Sequence, residues 1–235
     1  MTAILALDTS SEFCSVSLVL TDTDEPVYRS LTEAAPRSHV QLLLPMVREL
    51  LSQCELGLAD LSAIAFGRGP GSFTGLRIAA GFTQGLAFGQ DLPIVSVSNL
   101  QALAMHGFNK QLDAKRCLAL IDARMDETYW AVYEKAASGV PVLVETEAVD
   151  KPEVIAEKFS STEQFTVLGS GLNYAERLGV VDTWSSRVAA PRHPAELIAN
   201  IGLALFNNNE TLRAENASPV YIRDQVAWKK LPGRE

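Results

Sequence analysis

The chain has only three cysteines, Cys14, Cys54 and Cys117, odd in number and far apart, so neither a disulfide framework nor a CxxC pair is available. That usage points to a reducing cytoplasm. No apolar run reaches the roughly 18 residues a membrane span requires, and the N-terminus MTAILALDTSSEF lacks a basic leader region and meets an acid at Asp8. Neither export nor membrane anchoring is expected. Positive charge is also short: 20 Lys plus Arg against 28 Asp plus Glu leave a net charge of -8, which argues against a broad phosphate-backbone grip on nucleic acid. Catalytic signatures are missing as well. No GxSxG elbow is present, since Ser72 lies in GPGSFTG, and neither His39 nor His193 sits in a nucleophile motif. What remains is ordinary globular usage, 47% hydrophobic and 20% charged over 235 residues. A chain of this length buries roughly 70 to 75% of its unfolded surface without metal or disulfides.

Residues 3–8 (AILALD) and 13–20 (FCSVSLVL) read as two strands joined by the polar turn TSSE, and VYRSLTEA as a third. A helical pattern opens near Ser38. At about 100° per residue, Val40, Leu43, Leu44, Val47, Leu50, Leu51 and Cys54 fill an arc of roughly 120°, widened to roughly 200° by Leu42 and Met46. One core-facing stripe needs only a little over 100°. The extra width asks for a second packing surface, either a partner subunit or a neighbour within the same lobe, and Pro45 is expected to kink the helix.

Residues 63–66 (AIAF) form a short buried strand running into GRGPGSFTG and a helix from about Ser72 to Phe88. Gly67, Gly69 and Gly71 permit close backbone approach, and Ser72 or Thr74 caps a helix start where unpaired N–H groups favour an anion. The spacing from Gly69 to Gly75 is GxGxxxG, one residue too long for a dinucleotide fingerprint, and no P-loop lysine follows. Two readings stand: a phosphate turn built from Asp8, Gly69, Gly71, Ser72, Thr74 and Gly75, or a tight strand-to-helix joint whose glycines serve packing. The helix itself is apolar on nearly every face, with Gly81 and Gly85 flattening one side for a second helix.

The polar stretch 108–115 divides the chain into lobes at 1–108 and 109–235. CLALIDARMDETYWAVYEKA repeats the strand, acidic turn and strand of ILALDTSSEFCSVSLVL, with Asp122 falling where Asp8 falls, and FTVLGSGLNYAERLG repeats the strand, glycine turn and helix of the first lobe. A helix is expected after Pro194, and the tail 218–235 is expected to lie back on lobe one. The outcome is an α/β fold of two βββαβα lobes. Asp8 and Asp122 either hold a metal-bound phosphate or cap their turns.

Paired Asp-bearing turns on two such lobes resemble the actin, sugar kinase and Hsp70 (ASKHA) fold class. The segments ILALDTS, SHVQLLLPMVRELL, AFGRGPGSFTGLRIAAG, LIDARMDETYWAVYE and PVYIRDQVAWKKLPG together resemble the TsaB (YeaZ) family over essentially the whole chain. The resemblance implies a non-catalytic subunit of the machinery that makes threonylcarbamoyladenosine beside the anticodon of tRNAs reading codons that begin with A. Its implied partners are TsaD, which performs the transfer, the ATPase TsaE and a second copy of itself, with tRNA met through the complex. ATP, ADP and metal then belong to the partners. The paralogue's metal-binding HxxxH falls here on Asn99 and Leu103, and a leucine is no ligand. No catalytic or metal-binding residue is therefore expected, and the interface candidates are Val40, Leu42, Leu43, Met46, Leu76 and Phe82. The competing reading is a stand-alone nucleotide-dependent phosphotransferase or glycoprotease-like peptidase.

Overall fold

An apolar run such as AILAL is stable only when both of its faces are covered. In a computed structural model of the chain, which describes residues 1–22, 25–159, 165–179, 186–188, 191 and 193–223, that run is β1 (Ala3–Asp8), the middle strand of a five-stranded sheet. Its side chains divide by period two. Ala3, Leu5 and Leu7 enter one core, and Ile4 and Ala6 enter another on the opposite face. On one side β2 (Phe13–Leu20) and β3 (Val27–Ala34) continue antiparallel, and on the other β4 (Ala63–Gly69) and β5 (Ile94–Ser98) run parallel. The order is β3-β2-β1-β4-β5.

The second sheet has the same plan. β6 (Arg116–Arg124), β7 (Glu127–Glu134) and β8 (Val142–Asp150) are antiparallel, and β9 (Thr166–Leu168) and β10 (Ser186–Val188) join parallel, giving β8-β7-β6-β9-β10. The βββαβ opening of the expected repeat is therefore present in both lobes, and each copy has a fifth strand and a final helix.

The helices make the layers. α1 (His39–Gln53) and α2 (Phe73–Gln90) cover the outer face of the first sheet. α3 (Asn99–Lys110) and a helix entered at Pro194 lie between the two sheets, and α4 (Pro152–Lys158) covers the outer face of the second. That last helix, α5 (Pro194–Asn207), packs Ile198 and Ile201 beneath β1 and β4, although it lies in the second half of the chain. Conversely, Leu100, Leu103 and Phe108 of α3 pack on Cys117, Ala119 and Tyr133 of the second sheet. A division at 108/109 thus separates the sheets but not the helices, because each lobe's final helix serves the other lobe too.

The repeat is unequal. The helix expected on NYAERLG is only a 3-10 turn at Ser170–Tyr174, so among the described residues of lobe two none forms a counterpart to the 18 residues of α2. Beyond α5 the chain returns to lobe one: Ile94 and Leu212 exchange both backbone hydrogen bonds, Gln84 Nε2 donates to Ala217 O (2.6 Å), and Val220 N donates to Arg68 O (2.8 Å). The rest of the expected tail contact, with Trp228, Lys229, Lys230 and Arg234, lies outside the described residues.

Candidate functional site

The Asp8 turn and the glycine loop meet at the carboxyl ends of β1 and β4, where ligands bind in open α/β sheets. Asp8 Oδ1 accepts from Ser10 N–H at 2.8 Å, and Asp122 Oδ1 accepts from Arg124 N–H at 2.8 Å in the matching turn of lobe two. Gly69 and Gly169 occupy corresponding places with φ of 113° and 111°, a region that disfavours any side chain. Two lobes diverged in sequence thus keep one backbone solution.

In lobe one that joint is tied together by its own side chains and backbone. Asn99, first residue of α3, accepts from Gly69 N–H through Oδ1 (2.7 Å) and donates through Nδ2 to Ser10 Oγ (2.9 Å) and Asp8 Oδ1 (3.3 Å). Ser72 N–H donates to Ser10 O, Thr9 Oγ1 donates to Gly75 O (2.7 Å), and Gly75 N–H donates to the Ser72 hydroxyl that caps α2. A Cβ at Gly75 would overlap the carbonyl of Thr9, and one at Gly71 would press on Ser10. Thr74 faces solvent on the first turn of α2. The set Asp8, Gly69, Gly71, Ser72, Thr74 and Gly75 is brought together in a tightly packed joint, where the N–H groups of Gly69, Ser72 and Gly75 have internal acceptors. The glycines serve close approach.

Asp8 is only 2% exposed, and burial pushes its carboxyl above the ordinary carboxylate range against the opposing pull of the Ser10 and Asn99 hydrogen bonds and of His39. Cys14 and Cys117 are buried free thiols. Desolvation raises the Cys14 thiol to about 12, which keeps it protonated and unreactive at neutral pH. Among the described residues no three His, Cys, Asp or Glu side chains converge to hold a metal, and no helix is long and apolar enough to cross a membrane.

The second candidate region is the outer face of α1 and α2. On α1 the positions Leu43, Met46, Val47, Leu50 and Leu51 follow the i, i+3, i+4 spacing and enter the core. Met46 is 2% exposed. Of the expected interface residues, Leu43 and Met46 enter the lobe's own core because the sheet takes that side of the α1 arc, and Leu76 on α2 is buried as well. Leu42 and Phe82 are half-buried at the core's margin. Val40 (65% exposed) and Leu44, both counted on the narrow arc, face solvent, and the structure adds Phe73 and Phe88 (81% exposed) on α2. Gly81, Gly85 and Gly89 lie along α2 with open space where a side chain would stand. A periodicity plot treats every apolar residue alike; only the position of the sheet distinguishes the two sides.

A family profile described as "TsaD: tRNA N6-adenosine threonylcarbamoyltransferase" matches residues 31–230. A protein of Escherichia coli (strain K12) named "tRNA threonylcarbamoyladenosine biosynthesis protein TsaB" is 42% identical over 99% of this chain and 99% of its own length. The chain belongs to the TsaB family. A TsaB protein of Haemophilus influenzae is 39% identical over 99% of this chain and 98% of its own. A crystal structure from Pseudomonas aeruginosa, described as an uncharacterized protein with similarity to peptidase YEAZ, is 41% identical with a TM-score of 0.85 over 95% of this chain and all of that one. An inorganic polyphosphate/ATP-glucomannokinase from Arthrobacter, 14% identical with a TM-score of 0.51 over 88% of this chain and all of that one, shares the fold alone and places it in the two-lobed kinase-like class. In this TsaB family member the two positions that match the paralogue's histidines have structural uses. Asn99 staples the Asp8 turn to the glycine loop, and Leu103 packs between the lobes.

Proposed function

We propose that the chain is a non-catalytic subunit for synthesis of threonylcarbamoyladenosine in tRNA, docking on TsaD through the outer face of α1 and α2. The observation that carries this reading is the exposure of Val40 and Leu44 on α1 and of Phe73 and Phe88 on α2, a helix whose Gly81, Gly85 and Gly89 leave open space. Helices with small residues on one side admit a second pair of helices at short range, and exposed aromatics supply the apolar area that a stable interface needs. A second copy of the chain uses the same face when TsaD is absent. TsaE joins the pair, tRNA is met through the complex, and nucleotide and metal are bound by the partners. The setting is the cytoplasm. The packed Asp8 joint supports a role without catalysis, since its carboxyl accepts from Ser10 and Asn99 and the N–H groups of Gly69, Ser72 and Gly75 are engaged within the joint.

The test is reconstitution of tRNA modification with nucleoside mass spectrometry, omitting each protein in turn. Product only when this chain and TsaD are both present is the expected result. Product from this chain without TsaD, or undiminished product in its absence, would overturn the reading. Phe88→Asp and Leu44→Asp place a charge on the exposed face without entering the core, so they are expected to abolish the complex on sizing with light scattering while leaving the fold intact.

A further inference from the structure

We infer that the cleft between the two lobes is held shut by a double clasp converging on Arg68, so that the chain behaves as one rigid body and not as a hinge. The inner clasp is Glu147 on β8. Its Oε1 accepts from the hydroxyls of Ser98 and of Tyr133 (3.0 Å for the latter), and its Oε2 pairs with Arg68 Nη2 at 3.2 Å. Arg68 and Ser98 belong to the first sheet, Tyr133 and Glu147 to the second, so one carboxylate joins both lobes. With the Glu147 side chain only 9% exposed, the pair is shielded from the screening that weakens surface ion pairs.

The outer clasp is the returning tail. Val220 N–H donates to the carbonyl of the same Arg68, and three residues later the Arg223 guanidinium reaches the second lobe. There it donates to Ala123 O (3.2 Å) and pairs with Glu127. These acceptors flank the hairpin of Arg124, Met125 and Asp126, which hold φ of 61°, 57° and 62° without a glycine among them. Consecutive left-handed residues persist only where surroundings fix them. Between the two ends Ile222 packs into the core that α3 shares with the second sheet. Opening the lobes therefore breaks a part-buried ion pair, the bond from the Ser98 hydroxyl to Glu147 and the tail's hold on a strained hairpin at once.

The inference does not depend on the partner assignment and is tested on the chain alone by amide hydrogen exchange. Glu147→Gln removes the charge that holds Arg68, and Arg223→Gln removes the outer ion pair. The double variant E147Q/R223Q is expected to exchange about tenfold faster at residues 67–71, 97–100 and 217–223, with the β2–β3 amides unchanged. Unchanged exchange at the cleft would overturn the clasp, and so would an equal rise across both sheets, which reports lost global stability. Each single variant provides the same readout if the double variant fails to fold.

Discussion

The two lobes share a strand order and a pair of Asp turns yet treat them oppositely. Lobe one seals its turn: Asp8 is buried, Asn99 bonds to it, and the glycine loop closes over it. Lobe two leaves Asp122 near solvent, partnered by Arg124 and the Tyr174 hydroxyl at 3.3 Å, and replaces the long helix α2 with a 3-10 turn. The difference teaches that a duplicated frame does not need duplicated chemistry. One copy became a platform for helices, and the other became the smaller body that closes against it.

The comparison is broken most severely at Gly75. Gly75→Ala drives a methyl into the Thr9 backbone, which no rotamer change relieves, and is expected to cost about 4 kcal/mol or to prevent folding, measured by urea denaturation. Next comes the seal itself. Asn99→Leu leaves the Gly69 N–H without its acceptor in a buried place, and a loss of about 2 to 3 kcal/mol is expected. Tyr174→Phe, the lobe-two control on the Asp122 turn, is expected to stay within about 0.5 kcal/mol. Equal losses in these two variants would mean that the seal is not what separates the lobes.

Much of this architecture is legible in the sequence. The alternation of FCSVSLVL, the Asp turns at 8 and 122 and the glycine pair around 69 and 169 are local patterns, and local patterns fix strands and turns. The outer face of lobe one was half legible. Amphipathic spacing located α1, but it could not place Met46 in the core, because periodicity measures the width of an apolar arc and not which side the sheet takes. Asn99 carried a weak local signal, a polar residue opening a helix after a buried strand. Glu147 and Arg223 carried none: an acid in an edge strand and an arginine in a tail acquire meaning only when two lobes meet.

A smaller and pH-dependent effect probes the buried carboxyl. Because burial raises the Asp8 carboxyl in the folded state, that state binds the proton more tightly than the unfolded chain does, and stability falls as pH rises through the folded value. Asp8→Asn removes this loss while its amide oxygen still accepts from Ser10 N–H. The variant is expected to gain on the parent in urea denaturation at about pH 7.5, and the gain is expected to vanish below about pH 4, the ordinary aspartate range. A gain independent of pH would show that the carboxyl is not held up by burial.

A further small gain in stability is the sharpest on function. Gly85 lies mid-helix in α2 with open space at its Cβ position, so Gly85→Ala is expected to stabilise the isolated chain by roughly 0.5 to 1 kcal/mol through helix propensity alone. If the outer face of α2 receives a partner helix at close range, the same methyl stands in the contact, and assembly with TsaD is expected to weaken several-fold in titration calorimetry. Stability and assembly then move in opposite directions under one substitution, which a purely structural glycine cannot produce. Among the described residues of lobe two the corresponding place holds only the 3-10 turn at Ser170–Tyr174. A rise in stability with unchanged assembly would shift the docking surface away from Gly85, toward α1 with Val40 and Leu44.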